Sequence, residues 1–264
     1  MSSVKKYLHL KSILKLALIL TLLYIIFTYA TGTYYKQKHK NDKLFIGASF
    51  SQEYAESFGL DPKKVLEDSI NDLGIKNYRL NSHWDIVEKN KGEFDFSELD
   101  WQFDTIENSG GTVSLSLGLR QPRWPECHLP KWANELKDKE LESAVKNFIK
   151  KTVERYRDRK SLINYQLENE YFLSKFGKCK DFSRERLINE FNLVKELDSK
   201  KDLIISRSFN LAGFAIRKPI PDVFAISIYK KFYSQIFIKA YINYPHPAIF
   251  YSSLAGIQEL IYGK

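Results

Sequence analysis

The chain has 264 residues and a mass of 30.9 kDa, room for one large domain or two small ones. Hydrophobic residues make up 44% and charged residues 28%, which excludes wholesale disorder, and only 2 cysteines exclude a disulfide-rich scaffold. The formal charge of +9 does not point to nucleic acid: eight lysines against one aspartate in residues 1–43 hold +7 of it, leaving +2 for residues 44–264.

Lys5, Lys6, Lys11 and Lys15 precede residues 16–35, a stretch without a charge and with a strongly apolar centre. About twenty apolar residues cross a bilayer as a helix. A signal peptide competes, with Ala30 and Gly32 as a poor cleavage site. Both readings export the rest of the chain. We read residues 1–35 as a signal anchor or transmembrane segment and 36–43 (KQKHKNDK) as a solvated basic linker. Residues 44–264 form the globular domain, held extracytoplasmic on its membrane anchor, or secreted if the segment is cleaved.

From Leu44 the chain alternates strand and helix. Leu44–Ser49 (LFIGAS) is a short apolar run ended by small residues, a buried strand. Asp61-Pro62 opens a helix by N-cap and first-turn proline, with Val65, Leu66, Ile70 and Leu73 as its apolar face and Gly74 as its stop. Residues 77–80 make a second strand. Ser97 caps a helix striped by Leu99, Phe103 and Ile106. Residues 112–119 (TVSLSLGL) alternate as a third strand. A loop with Pro122, Pro125 and Pro130 leads to a helix over Asp138–Tyr156. Leu162–Leu167 is the fourth strand, and Ser183 starts a helix carrying Leu187, Ile188, Phe191, Val194 and Leu197. Residues 203–206 and 223–229 are the fifth and sixth strands. The stretch 247–262 reads as a last helix.

Repeated strand–helix units argue for a parallel sheet with helices outside it, either open and doubly wound or closed as a (β/α)8 barrel. No G-x-G-x-x-G follows the first strand and no G-x-x-x-x-G-K-[ST] occurs, so the phosphate cradle of nucleotide-binding open sheets is missing. The long loops after Leu80, Leu119 and Leu167 leave strand C-terminal ends, where barrel enzymes build their sites. The sequence therefore predicts an α/β fold, an incomplete (β/α)8 TIM barrel of about six of eight units behind an N-terminal apolar helix.

The chemistry gathers at strand ends. Tyr165-Gln-Leu-Glu168-Asn169-Glu170 runs a strand into carboxylates, where burial raises a pKa and a retained proton serves a glycosidic oxygen. A polar strand terminus entering solvent gives the same local pattern. In Arg79-Leu-Asn-Ser-His83-Trp84-Asp-Ile-Val-Glu88, an arginine inside a strand requires a carboxylate partner, in an active site or in a structural ion pair. Trp84 and Trp124 offer flat faces for sugar rings, or pack; His83 stands beside the first. Five histidines without ligand spacing, and no G-x-S-x-G elbow, exclude a recognisable zinc site or serine hydrolase; no cofactor is expected. Cys127 and Cys179 lie in neighbouring loops, where an exported protein permits a disulfide.

R-x-x-x-x-W-x-x-x-E-x-x-x-G-x-F-D-F after a second strand, with Asn-Glu ending a fourth, resembles clan A glycoside hydrolases, above all the cellulase-like family 5 group. The resemblance covers the chain from about Leu44 onward. It implies a barrel that hydrolyses β-linked oligo- or polysaccharides with retention. It also implies Glu170 as acid/base, Asn169 as ligand of the sugar 2-hydroxyl and Arg79 as orienter of the nucleophile. Tyr229 resembles the family's strand-six tyrosine; His83, Trp84 and Trp124 become substrate-binding candidates. Ser227 departs from the histidine often seen two residues before that tyrosine, and Tyr171 from the proline that commonly follows Asn-Glu.

In the family the nucleophilic glutamate ends strand seven, where this sequence stops at Gly263-Lys264; Glu259 lies in the stretch read as helical. The expectation is a glycosidase domain truncated before that strand, with an open edge after strand six. Two other readings are a non-catalytic carbohydrate-binding relic and a membrane-anchored scaffold.

Overall fold

The computed structural model describes residues 2–38, 40–41, 44–173, 177–179, 183–207, 218–227, 248–252 and 258–263. The chain divides after Lys43, with the barrel strands all in the second unit.

Helix α1 (Ser2–Lys38) is one continuous helix, and its section Lys11–Lys38, 28 residues, is long and apolar enough to cross a membrane. It runs three residues into the segment expected as linker. Its large side chains, Leu18, Ile26 and Phe27 among them, are exposed, as on a helix without a polar face.

The barrel begins at β1 (Leu44–Ser49), followed by α2 (Gln52–Ser57) and α3 (Pro62–Asn71). Asp61 caps α3, its Oδ1 accepting the Lys63 N–H at 2.9 Å; Leu66 and Ile70 are buried, but Leu73 lies past the helix end and is exposed. β2 (Asn77–Asn81) leads to the short α4 (Trp84–Val87) and α5 (Ser97–Asn108). Ser97 is the first helical residue of α5 rather than its cap; Asp95 Oδ1 accepts its N–H at 2.9 Å. β3 (Thr112–Leu117) is followed by α6 (Asp138–Tyr156), and β4 (Leu162–Leu167) by α7 (Arg184–Leu197), whose cap Ser183 accepts from the Arg186 N–H. β5 (Asp202–Arg207) and β6 (Val223–Ser227) come next.

Strands β1 to β6 pair in parallel and in chain order. This is the six-unit part of a (β/α)8 barrel. β3 and β5 are buried along almost their whole length, as strands covered on both faces must be. Leu99, Phe103 and Ile106 of α5 face the core, and Phe103 stacks on Tyr156 of α6 with centroids 4.4 Å apart.

The end of the chain corrects the expected helix over 247–262. β7 (Ala248–Ser252) pairs in parallel with β6, and β8 (Gln258–Gly263) runs antiparallel to both β7 and β1. The strands close in the order β1 to β8, so the edge expected after strand six is paired. Glu259 lies in β8, opposite Ala48 and Tyr251. The physical reason is that an unpaired edge leaves a row of backbone donors and acceptors, and closure satisfies them whatever the strand direction.

Candidate active site

β4 delivers three consecutive buried polar residues, Glu168, Asn169 and Glu170, to the strand's C-terminal end. Two of them, Glu168 and Glu170, adopt left-handed backbone (φ 53° and 46°), which sends adjacent side chains in different directions. Such strain persists only where the surroundings hold it.

Glu168 turns inward. It accepts the backbone N–H groups of Leu119 at 2.8 Å and Arg120 at 3.0 Å, and Nη1 of Arg186 at 3.0 Å. Gly118 (φ 95°) is required beside it, because a Cβ there would collide with the Glu168 carboxyl. The ends of β3 and β4 are thereby locked together. Glu168 is an anchor between these strand ends.

Asn169 is held at both ends of its amide. Oδ1 accepts from Gln166 Nε2 at 3.1 Å and from Ser206 Oγ at 3.4 Å, while Nδ2 donates to Glu126 Oε2 at 3.1 Å. Its backbone is gripped by Arg120, whose carbonyl accepts the Asn169 N–H and whose Nε donates to the Asn169 carbonyl, both at 2.6 Å. The backbone N–H of Glu170 donates to Ser206 Oγ at 3.0 Å, and its side chain is buried.

Arg79 of β2 is 3% exposed. Nε donates to Ser49 Oγ of β1 at 2.7 Å and Nη1 to Gln166 Oε1 of β4 at 2.9 Å. Gln166 thus links Arg79 to Asn169. Arg79, Asn169 and Glu170 stand in one network spanning β1, β2, β4 and β5.

The remaining candidates divide. Trp84 is fully buried, donates Nε1–H to Glu88 at 2.7 Å, stacks on Phe148 and meets Trp132 edge-on. This corrects its reading as a sugar platform: the indole belongs to the core. His83 is buried as well. Its Nδ1 meets Glu53 at 2.9 Å, its Nε2 meets the Pro122 carbonyl at 3.2 Å, and its ring stacks on His128 with centroids 3.5 Å apart. Burial works to raise the Glu53 pKa, but the His83 hydrogen bond and charge outweigh it and carry it down to about 2. Burial, then the neighbouring His83, push His128 down. His83 therefore staples the loops after β1, β2 and β3. A small hollow opens between Glu53, Asn81, His83 and Gln102.

Trp124 is 56% exposed, with Lys178 Nζ 5.8 Å from its ring centroid. Cys127 and Cys179 are joined in a disulfide, Cα atoms 5.2 Å apart. Tyr229 lies outside the described residues. Among the described residues, no group of three or more His, Cys, Asp or Glu is placed to hold a metal ion.

Four participants escaped the sequence reading: Arg120, Glu126, Gln166 and Ser206. Gln166 had a local signal, a polar side chain inside an apolar strand. Glu126 had none, since its loop returns to the end of β4 only in three dimensions. Burial first of all, with the Glu170 charge adding to it and Asn169, Arg120 and Arg79 opposing, leaves the Glu126 carboxyl raised to about 7. Glu126 is thus a buried carboxyl raised toward neutrality beside the Asn169-Glu170 pair at the C-terminal end of β4.

Residues 35–205 match the model of glycosyl hydrolase family 10. The chain belongs to that family. The match makes family 10 the specific assignment where the sequence motifs suggested family 5 within the wider group of cellulase-like barrels. No curated protein matches the sequence. Solved structures that share the fold of this family 10 chain include three glycosidases. An exo-β-1,4-mannosidase from Opitutaceae bacterium strain TAV5 has TM-score 0.54 at 16% identity, over 69% of this chain and 38% of its own. A β-galactosidase from the haloarchaeon Halorubrum lacusprofundi has TM-score 0.53 at 14% identity, over 69% and 40%. A cold-adapted β-galactosidase from Rahnella sp. R3 has TM-score 0.51 at 11% identity, over 72% and 40%. The chain spans about two-fifths of the length of these structures.

Proposed function

We propose that this chain carries the acid/base and sugar-recognition part of a retaining glycosidase for β-linked saccharides. Glu170 protonates the leaving glycosidic oxygen and later activates water, and Asn169 holds the sugar 2-hydroxyl. The observation that carries this reading is the network from Arg79 through Gln166 to Asn169, beside a buried Glu170 at the end of β4. Family membership supports glycosidic chemistry, and the names of the structural neighbours, β-galactosidase and exo-β-1,4-mannosidase, support β-linked substrates. Arg79 orients the carboxylate nucleophile in this reading. β7, Ala248–Ser252, contains no carboxyl residue, so we assign the nucleophile to no described residue.

Trp124, exposed on the loop after β3, supplies a stacking face. The apolar helix anchors the domain to a membrane, with the barrel extracytoplasmic; the Cys127–Cys179 bond suits an oxidising compartment.

Glu170→Gln tests the assignment. Hydrolysis of glycosides with poor leaving groups falls by about 10²–10⁴, while aryl glycosides with good leaving groups lose less. An unchanged rate on both removes Glu170 from its role. The missing carboxyl on β7 also favours a second reading, sugar binding without turnover. Titration of β-linked oligosaccharides that bind but are never cleaved selects it.

A further inference from the structure

Glu126 is the least expected side chain in the site and the most heavily constrained. It has a left-handed backbone (φ 70°) without being glycine. Its N–H donates to the Arg123 carbonyl at 2.6 Å, and its carbonyl accepts the Gln121 N–H at 2.8 Å. The next residue, Cys127, is tied to Cys179. Gly177 packs against it so closely that a Cβ there would sit 2.7 Å from the Glu126 Cβ, and the Lys178 N–H donates to the Pro125 carbonyl at 3.0 Å. A strained residue clamped from three sides holds its side chain in one place. That place is the amide of Asn169, with Arg120 Nη2 3.7 Å away.

We propose that Glu126 is a positioning residue of the saccharide site, fixing the Asn169 amide through a hydrogen bond whose strength follows the charge on the Glu126 carboxyl. The charged groups around it are Arg120 on its own loop, Arg79 from β2 and Glu170 from β4, with Asn169 as the neutral partner. Burial, ahead of these neighbours, sets its ionisation at about 7. An ionised carboxylate accepts from Asn169 Nδ2 more strongly than a neutral acid does. Asn169 is therefore held more firmly above that pH than below it. The inference takes its meaning from the proposed saccharide reading, yet the link between Glu126 and Asn169 is measurable without a sugar.

The full chain, purified in detergent with ¹⁵N-labelled asparagine, is titrated between pH 5 and 9. The Asn169 side-chain amide resonance, assigned by its loss in Asn169→Ala, shifts with a midpoint near 7. Glu126→Gln, which accepts the same bond but cannot ionise, abolishes that titration. A titration unchanged in Glu126→Gln, or none in the wild type, overturns the proposal. Should Glu126→Gln fail to fold, glutamate labelled with ¹³C at its carboxyl decides the matter in the wild type. A carboxyl titrating in step with Asn169 supports the proposal, and its absence overturns it. Affinity for a β-linked oligosaccharide then rises about fivefold across the same range in the wild type only. If Asn169 titrates as stated and no oligosaccharide binds at any pH, the positioning link stands and the saccharide reading fails.

Discussion

The guanidinium of Arg186 meets the carboxylate of Glu168 at 3.0 Å, with the two side chains 1% and 0% exposed. The same Nη1 reaches Glu190 at 2.6 Å. Burial above all drives the Glu190 pKa well upward against the pull of Arg186. Since Glu168 also ties the backbone of Leu119 and Arg120 to β4, this ion pair supports the whole Asn169–Glu170 turn.

Arg186→Met strands the Glu168 charge in a dry interior. Breaking a buried pair by removing one partner costs about 3–5 kcal/mol. Urea denaturation of the variant reports it, and a loss under about 1 kcal/mol contradicts the pairing.

Two carboxyl groups give stability opposite slopes with pH. Glu126, raised from 4.5 to about 7, keeps its proton in the folded state where the unfolded chain has released it. Stability therefore falls as pH rises from about 4.5 to about 7, by roughly 3 kcal/mol for this group, and is level above. Glu53, lowered from 4.5 to about 2, contributes stability that is present above 4.5 and lost as pH falls toward 2. The Tm of wild type against Glu126→Gln, followed from pH 4 to 8, isolates the first slope. Parallel curves refute it.

The disulfide closes a separation of 52 residues and fixes the loop that carries Trp124 and Glu126. Cys127→Ser with Cys179→Ser lowers stability by about 2–4 kcal/mol, mostly by freeing the unfolded chain. Thermal melts with and without a thiol reductant give the same ordering in the wild type, and reductant-insensitive melting counts against the bond.

The two tryptophans separate core from surface. Trp84→Ala costs about 3–5 kcal/mol, because the indole is fully buried between Phe148 and Trp132. Trp124→Ala changes stability by no more than about 0.5 kcal/mol and weakens oligosaccharide binding. Equal stability losses in both variants reject this division.

Much of this architecture is legible along the chain, because it depends on near neighbours. The apolar run of residues 16–35, the period of α6, the capping of α3 by Asp61 and of α7 by Ser183, and the ends of β1 and β4 need only a few adjacent residues to be specified. Asn169 and Glu170 could be nominated for the same reason, as polar residues where a buried strand stops. Contacts across long loops had no such local signature. Glu126 reaches Asn169 from 43 positions away, Arg79 reaches Gln166 from 87, and only the packed barrel sets those approaches. Trp84 could as well have faced a sugar as Phe148, since burial is a property of the assembled layers. The helical reading of 247–262 failed for a related reason: a short apolar segment takes its conformation from what it pairs with, and the unpaired edges of β6 and β1 supplied that partner.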